Sequence, residues 1–280
     1  MINIPAYHSY NNETQIALLD NSSIAFMEQL HQKGYTPESM LHAYDAIFVP
    51  GWVIEEAACS PYRSQYLNDL RASGIPLYRI NEQDYIDFTG GDEIQMYRIV
   101  SASVSKLAAL IQYMKRNVEP EDILDLEEYA SWITHMYENW PIPGPIMANG
   151  EPKRKNAGEI SLTVLAEVLA WNQPQVKGLT IYTQDADTKE FQTNARAKLL
   201  KLLEGNPSVT VTYKSNDFIM CQMFREGALT AEEIKQLRTN PRWVCYTLKR
   251  QDESIALEEK LLDNNAFIAL ISDPFAQILF

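Results

Sequence analysis

Apolar and polar positions alternate along most of the chain in short apolar runs, each followed by a helical period. Residues 1–15 are polar and irregular, and then Ile16-Ala17-Leu18-Leu19 runs apolar without a break and stops at Asp20. A continuous apolar run predicts a strand covered on both faces, and Asn21, Ser22 and Ser23 predict the cap of a helix that begins Ile24-Ala25-Phe26-Met27. Thr36-Pro37 predicts another helix start, and Ala46 to Val49 a strand closed by Pro50. Trp52 to Ala57 opens the next helix, with Glu55 and Glu56 in its first turn. Gly74 to Ile80 predicts a third strand, placed at a sheet edge by Pro76. Gly178 to Tyr182 repeats the opening theme, an apolar strand running into Asp185 and Asp187, and Ser208 to Tyr213 gives a fifth strand after a helix at 194–203. Strands alternating with helices predict right-handed crossovers and a parallel sheet.

The rhythm is interrupted twice. Residues 81–157 predict a helical insertion: an acidic, turn-prone start, one amphipathic helix over 101–116, a second from Pro120 to Tyr137, and a stop at Trp140-Pro141-Ile142-Pro143-Gly144-Pro145, where prolines remove donors. Residues 226–280 predict an extension packed on the core domain of residues 1–225. Within it, Thr230-Ala231-Glu232-Glu233 is a capping box, 243–248 a strand and 254–262 a helix, and the apolar end is expected to pack on the body or bind a partner. No repeat is present.

Composition narrows the class. The apolar share of 46% and charged share of 22% are those of an ordinary globular protein. No apolar run reaches the roughly 18 residues of a membrane span and no signal-peptide layout is seen, so a cytoplasmic protein is expected. Cys59, Cys221 and Cys245 are too few and too scattered for a disulfide framework or zinc cluster. His8, His31, His42 and His135 show no metal-ligand spacing. The net charge of −13 argues against broad, sequence-blind nucleic-acid binding while leaving room for a local basic rim. Lys153-Arg154-Lys155 is the densest basic cluster.

Candidate chemistry lies in the carboxylates. Asp20 and Asp185 end strands, while Glu159 and either Glu55 or Glu56 stand in the first turn of a helix, and a parallel sheet puts all of these on one side. Adjacent helical residues point about 100° apart, so only one of Glu55 and Glu56 can share a pocket with Asp20. Ionised carboxylates gathered in a small site need a cation, and hard Mg²⁺ or Mn²⁺ prefers such oxygens.

The sequence resembles the PIN domain family of metal-dependent ribonucleases, which includes the VapC-type toxins. The residues that carry the resemblance are Leu19-Asp20-Asn21-Ser22, Val49-Pro50-Gly51-Trp52-Val53-Ile54-Glu55-Glu56-Ala57, Gly158-Glu159-Ile160-Ser161 and Ile181-Tyr182-Thr183-Gln184-Asp185 with Asp187, in that order over residues 14–220. The resemblance implies a three-layer α/β/α fold around a central parallel five-stranded sheet and phosphodiester hydrolysis, in RNA or DNA, at an acidic Mg²⁺ or Mn²⁺ site. Asp20, Glu56, Glu159 and Asp185 would be its catalytic, metal-holding residues, with Asp187 an added ligand, and this choice favours Glu56 over Glu55. Ser22 would support the site, and Lys153, Arg154, Lys155 and Arg196 would contact substrate. VapC-type toxins are about half this length, so the insertion and tail are expected to cap the pocket or dock a protein partner; two-fold assembly is common in the family.

Two other readings compete. Asp185-Ala186-Asp187 after a strand is similar to the DxD signature of Toprim nucleases, but that family needs a Glu and a glycine where this chain has Asp20-Asn21. A nucleotide-binding sheet would need a glycine-rich turn after the first strand, which is absent. A catalytically degenerate relative acting as a binding module is the remaining alternative.

Overall fold

The structure is a computed structural model that describes residues 2–8, 10–147, 150, 152–249 and 253–280. Strand β1 (Gln15–Leu19) leads into α1 (Asn21–Gln32), and a 3-10 segment at Pro37–Ala43 precedes β2 (Ala46–Pro50). Helices α2 (Gly51–Ala58) and α3 (Pro61–Ala72) precede β3 (Leu77–Ile80). The chain then leaves the sheet through a 3-10 segment (Glu82–Thr89), α4 (Glu93–Ser103), α5 (Ala108–Asn117), α6 (Tyr129–Glu138) and the hairpin of β4 (Pro143–Ile146) and β5 (Pro152–Arg154). It returns through α7 (Ala157–Asn172), β6 (Gly178–Tyr182), α8 (Ala186–Leu202), β7 (Val211–Lys214), α9 (Asn216–Arg225) and α10 (Ala231–Leu237). It ends with β8 (Arg242–Lys249), β9 (Ile255–Leu262), α11 (Asn264–Ile271) and β10 (Gln277–Ile278).

The main sheet has the order β3-β2-β1-β6-β7, all parallel and flanked by helices, a three-layer α/β/α fold. Its centre explains the apolar runs: Leu18 lies between Phe48 and Ile181, and all three are fully buried. Strand order reverses at β1. From there the chain builds outward to β2 and β3, and later returns to the other flank with β6 and β7. Such a reversal leaves a crevice beyond the carboxyl ends of the two strands concerned, where open α/β sheets place their ligands. Asp20 follows β1 and Asp185 follows β6.

The insertion has a physical reason in α7. That helix, AGEISLTVLAEVLAWN, is apolar nearly all round, and a helix of that kind must be covered on every side. It packs on α2, α4, α8 and the Glu82–Thr89 segment, so the insertion supplies much of its cover. Gly158, in its first turn, lies against α2, where a Cβ would meet Val53 at 3.4 Å and Glu56 at 3.6 Å, ordinary contact distances.

Several expected elements differ. The stretch read as one helix over 101–116 is two, α4 and α5, broken around Val104–Leu107 although the apolar period continues across the break. The second insertion helix begins at Tyr129 rather than at Pro120. The helix placed at 194–203 starts eight residues earlier, capped at Asp185. The stretch 254–262, read as a helix, holds β9 instead, which pairs antiparallel with β8 in a separate sheet of order β10-β8-β9. Cross-strand pairing overrides local propensity there. This C-terminal sheet sits by α9 and α11, with Val244, Tyr246 and Phe267 buried between them. The three cysteines are free. No helix among the described residues is long and apolar enough to cross a membrane.

Candidate functional site

Asp20 is the N-cap of α1 and only 4% exposed. Its backbone N–H still donates to the Tyr182 carbonyl at 3.0 Å, extending the β1–β6 ladder by one rung and fixing the side chain at the strand ends. Its carboxylate accepts three hydrogen bonds: the Asn21 N–H on Oδ1 at 2.7 Å, and the Ser22 and Thr183 hydroxyls on Oδ2 at 2.5 and 2.8 Å. The two hydroxyls also tie the strand ends together, because Ser22 Oγ accepts from the Gln184 N–H and Thr183 Oγ1 from the Asp185 N–H, both at 3.0 Å. Ser22 is therefore a positioning residue whose oxygen is engaged by protein groups.

Of the two adjacent glutamates on α2, Glu56 turns toward Asp20. Its Oε2 accepts from Asn21 Nδ2 at 3.3 Å and pairs with the Lys153 ammonium at 2.9 Å. Asn21 is steadied in turn by the Arg63 guanidinium from α3. Glu55 points outward, half-exposed, and accepts the Tyr137 hydroxyl at 2.6 Å. The choice that helical periodicity leaves open is decided by the side of α2 that packs on α7: Val53 and Glu56, three residues apart, both lie against Gly158, and Glu55 is on the side turned away.

Glu159, in the first turn of α7, completes the inner group. Removal from water pushes its pKa up to about 7; the Asp20 and Glu56 charges push the same way, and Lys153 pulls back. Its Oε2 is buried and has no hydrogen-bond partner. Glu56 is raised by burial first and by Asp20 among its neighbours, again opposed by Lys153. Asp185 lies exposed at the mouth. Loss of water on its inner side and then the Asp20 charge raise its pKa, with Asp187 adding to the effect and Lys153 offsetting it. Lys153 responds reciprocally: burial favours its neutral form, but Glu56, Glu159 and Asp20 outweigh that and raise its pKa. Carboxylates from four elements are therefore electrically coupled around one lysine.

The other predicted positions divide. Asp187 is exposed one residue beyond the α8 start. Arg154 stacks over the Tyr137 ring at 4.1 Å and donates to the Tyr137 carbonyl at 2.7 Å, next to a Trp52–Tyr137 stack with centroids 4.5 Å apart. Lys155 has an exposed side chain, while its backbone holds the hairpin to Ile142 and Trp140. Arg196 is not at the site. It pairs with fully buried Glu167 at 2.8 Å and reaches the Val209 carbonyl before β7, at the opposite edge of the sheet from Asp20. Its assignment as a substrate contact is corrected to a structural ion pair, since a buried carboxylate must be neutralised.

Sequence reasoning named Thr183 and Asn21 only within motifs, with no role at the site, and passed over Arg63. The first carried a legible signal, as the residue after β6 sits across the strand reversal from Asp20. The other two are set by the α1–α3 contact, for which the sequence holds no signal.

An all-carboxylate donor set suits a hard divalent ion, and the unpartnered Glu159 Oε2 is the kind of atom such an ion would satisfy. Among the described residues, no three His, Cys, Asp or Glu side chains stand close enough together to hold a metal as placed. The Lys153 ammonium supplies positive charge there instead. Neither a protein-family model nor a curated protein matches the chain.

Proposed function

We propose that this chain is a metal-dependent nuclease of the PIN domain type, hydrolysing phosphodiester bonds, in RNA ahead of DNA. The observation that carries the reading is the electrical coupling of Asp20, Glu56, Glu159 and Asp185 in the crevice where the strand order reverses. Asp20, Glu56, Glu159 and Asp185 would hold Mg²⁺ or Mn²⁺, with Asp187 beside Asp185. Bound there, the ion would activate water and offset charge on the phosphate. The chain's own residues have separate tasks. Ser22 and Thr183 hold the Asp20 carboxylate in one orientation, Asn21 and Arg63 hold Glu56, and the hairpin bearing Lys153, Arg154 and Lys155 offers cations to a phosphate backbone.

A second reading, a degenerate relative that binds without cutting, is favoured by the Lys153–Glu56 pair and by the three hydrogen bonds already made to Asp20. Calorimetric Mn²⁺ titration of the native chain and of Asp20→Asn separates the two. Binding by the native chain that Asp20→Asn loses supports the nuclease, and absence from both supports the binding module. A cleavage panel of RNA and DNA with Mg²⁺ or Mn²⁺ completes the test. An Asp185→Asn protein as active as the parent would remove the mechanism.

A further inference from the structure

Six of the large apolar side chains left exposed among the described residues, Trp243, Ile255, Leu257, Leu261, Phe275 and Leu279, lie in the C-terminal sheet and its flanks. Contiguous exposed apolar surface of this kind marks an interaction site. Four of them share one face of the β8–β9 hairpin: Trp243 stands opposite Leu261, and further along the same face Leu257 stands opposite Thr247 and Ile255 opposite Lys249.

The backbone says how a partner would attach. Cys245 directs both its N–H and its C=O toward the chain end, donating to the Phe280 carbonyl and accepting from the Leu279 and Phe280 N–H groups. Backbone groups alternate sides along a strand, so Val244 and Tyr246 face β9 and bond to their opposites Lys260 and Glu258. The N–H and C=O groups of Leu257, Glu259 and Leu261 therefore point away from β8. Strand β9 is the outer strand of its sheet, and none of those groups has a hydrogen-bond partner among the described residues. An eight-residue edge strand with an apolar face is a template for another strand.

We propose that β9 pairs antiparallel with β9 of a second copy, joining two three-stranded sheets into one of six. Only residues whose backbone groups point outward can form the hydrogen-bonded pairs, which restricts the register. With Glu259 on the two-fold axis, Leu257 faces the partner's Leu261, and Leu261 the partner's Leu257, on the exposed apolar side. Glu258 then faces the partner's Lys260 in the closer, non-hydrogen-bonded pairs, and Lys260 the partner's Glu258. Within one chain Glu258 and Lys260 already pair at 2.6 Å, so the dimer closes a square of alternating charge. Shifting the register by two residues in either direction sets Glu258 against itself or Lys260 against itself. The second copy is favoured over an unrelated strand by this self-complementarity. The unfavourable element is Glu259, which meets its own copy across the axis.

The test is the oligomeric state of the full chain by light scattering and sedimentation over a concentration series, with circular dichroism melts to confirm folding. The parent should be a dimer. Glu258→Lys and Lys260→Glu should each raise the dimer dissociation constant by about tenfold or more, and the double swap should restore it. Leu257→Lys, at a side chain 69% exposed in the single chain, should give a folded monomer. Glu259→Gln should tighten the dimer. A monomeric parent would overturn the proposal, as would a dimer indifferent to both single charge swaps and to Leu257→Lys.

Discussion

Lys153→Met removes the cation that Glu56, Glu159 and Asp185 share. The lost pair is 2.9 Å long, with side chains 32% and 12% exposed, so it lies between the surface and the buried regimes. Truncating one partner costs under about 1 kcal/mol at the surface and about 3–5 kcal/mol in the interior, which places the expected loss near 2 kcal/mol. The sign of its pH dependence follows from the carboxylates. Glu159 titrates at about 7 against an ordinary 4.5, so the folded state holds its proton longer than the unfolded chain does, and stability falls as pH rises through that window. Without Lys153, Glu56 and Glu159 are raised further and the fall steepens. Urea unfolding should therefore show the variant weaker by about 2 kcal/mol near pH 8 and by much less near pH 5, where the carboxyls take up protons. Methionine keeps most of the aliphatic stem, so packing is little disturbed. Equal stabilities at the higher pH, or a loss of the same size at both, would refute the account of Lys153 as the counter-charge of the site.

Three further outcomes are expected. Glu82, 3% exposed and bonded to the Trp52 N–H and the Ser161 hydroxyl, has its pKa pushed by burial to about 7 and adds about 3 kcal/mol of stability that is lost as pH rises from its ordinary value through 7; Glu82→Gln should make that fall shallower in urea unfolding, with the raised Glu159, Glu56 and Asp185 supplying part of what remains. Gly51→Ala would put a Cβ 2.7 Å from that fixed carboxylate and should lower stability by about 1–3 kcal/mol in thermal or urea melts. Arg196→Met should cost about 3–5 kcal/mol by leaving Glu167 buried and unpaired, yet leave nucleic-acid binding unchanged when the folded fraction is matched.

The parts of the site at strand ends were legible because a parallel sheet fixes them: an apolar run has one direction, and the residue that ends it must lie at the carboxyl edge. Asp20 and Asp185 are of this kind. Helix starts were less legible: Tyr129 opens its helix well after the expected Pro120, and Ala186 well before the expected Asn194. Glu55 and Glu56 could not be separated because the apolar pattern does not say which side of α2 meets α7. Basic residues were not legible in the same way. Lys153 enters the crevice because β4 and β5 fold back as a hairpin, in a stretch whose prolines announce only that a helix stops. Arg196 was misplaced because a helix crosses the full height of the sheet, so knowing that its start lies at the site says nothing of a residue three turns further on. The β9 strand was hidden by Glu258, Glu259 and Lys260, good helix formers whose conformation is dictated by β8 opposite.

The place of β1 in the sheet bears on how the polypeptide emerges from the ribosome. Ile16 and Ala17 can pair with Ala46 and Ile47 early, but their other neighbours, Leu179 and Thr180, are made much later. At ordinary elongation rates the delay is on the order of ten seconds, during which β1 presents an uncovered apolar margin. The nascent chain must keep that margin from annealing to a stranger, and the acidic crevice cannot exist until the wait is over.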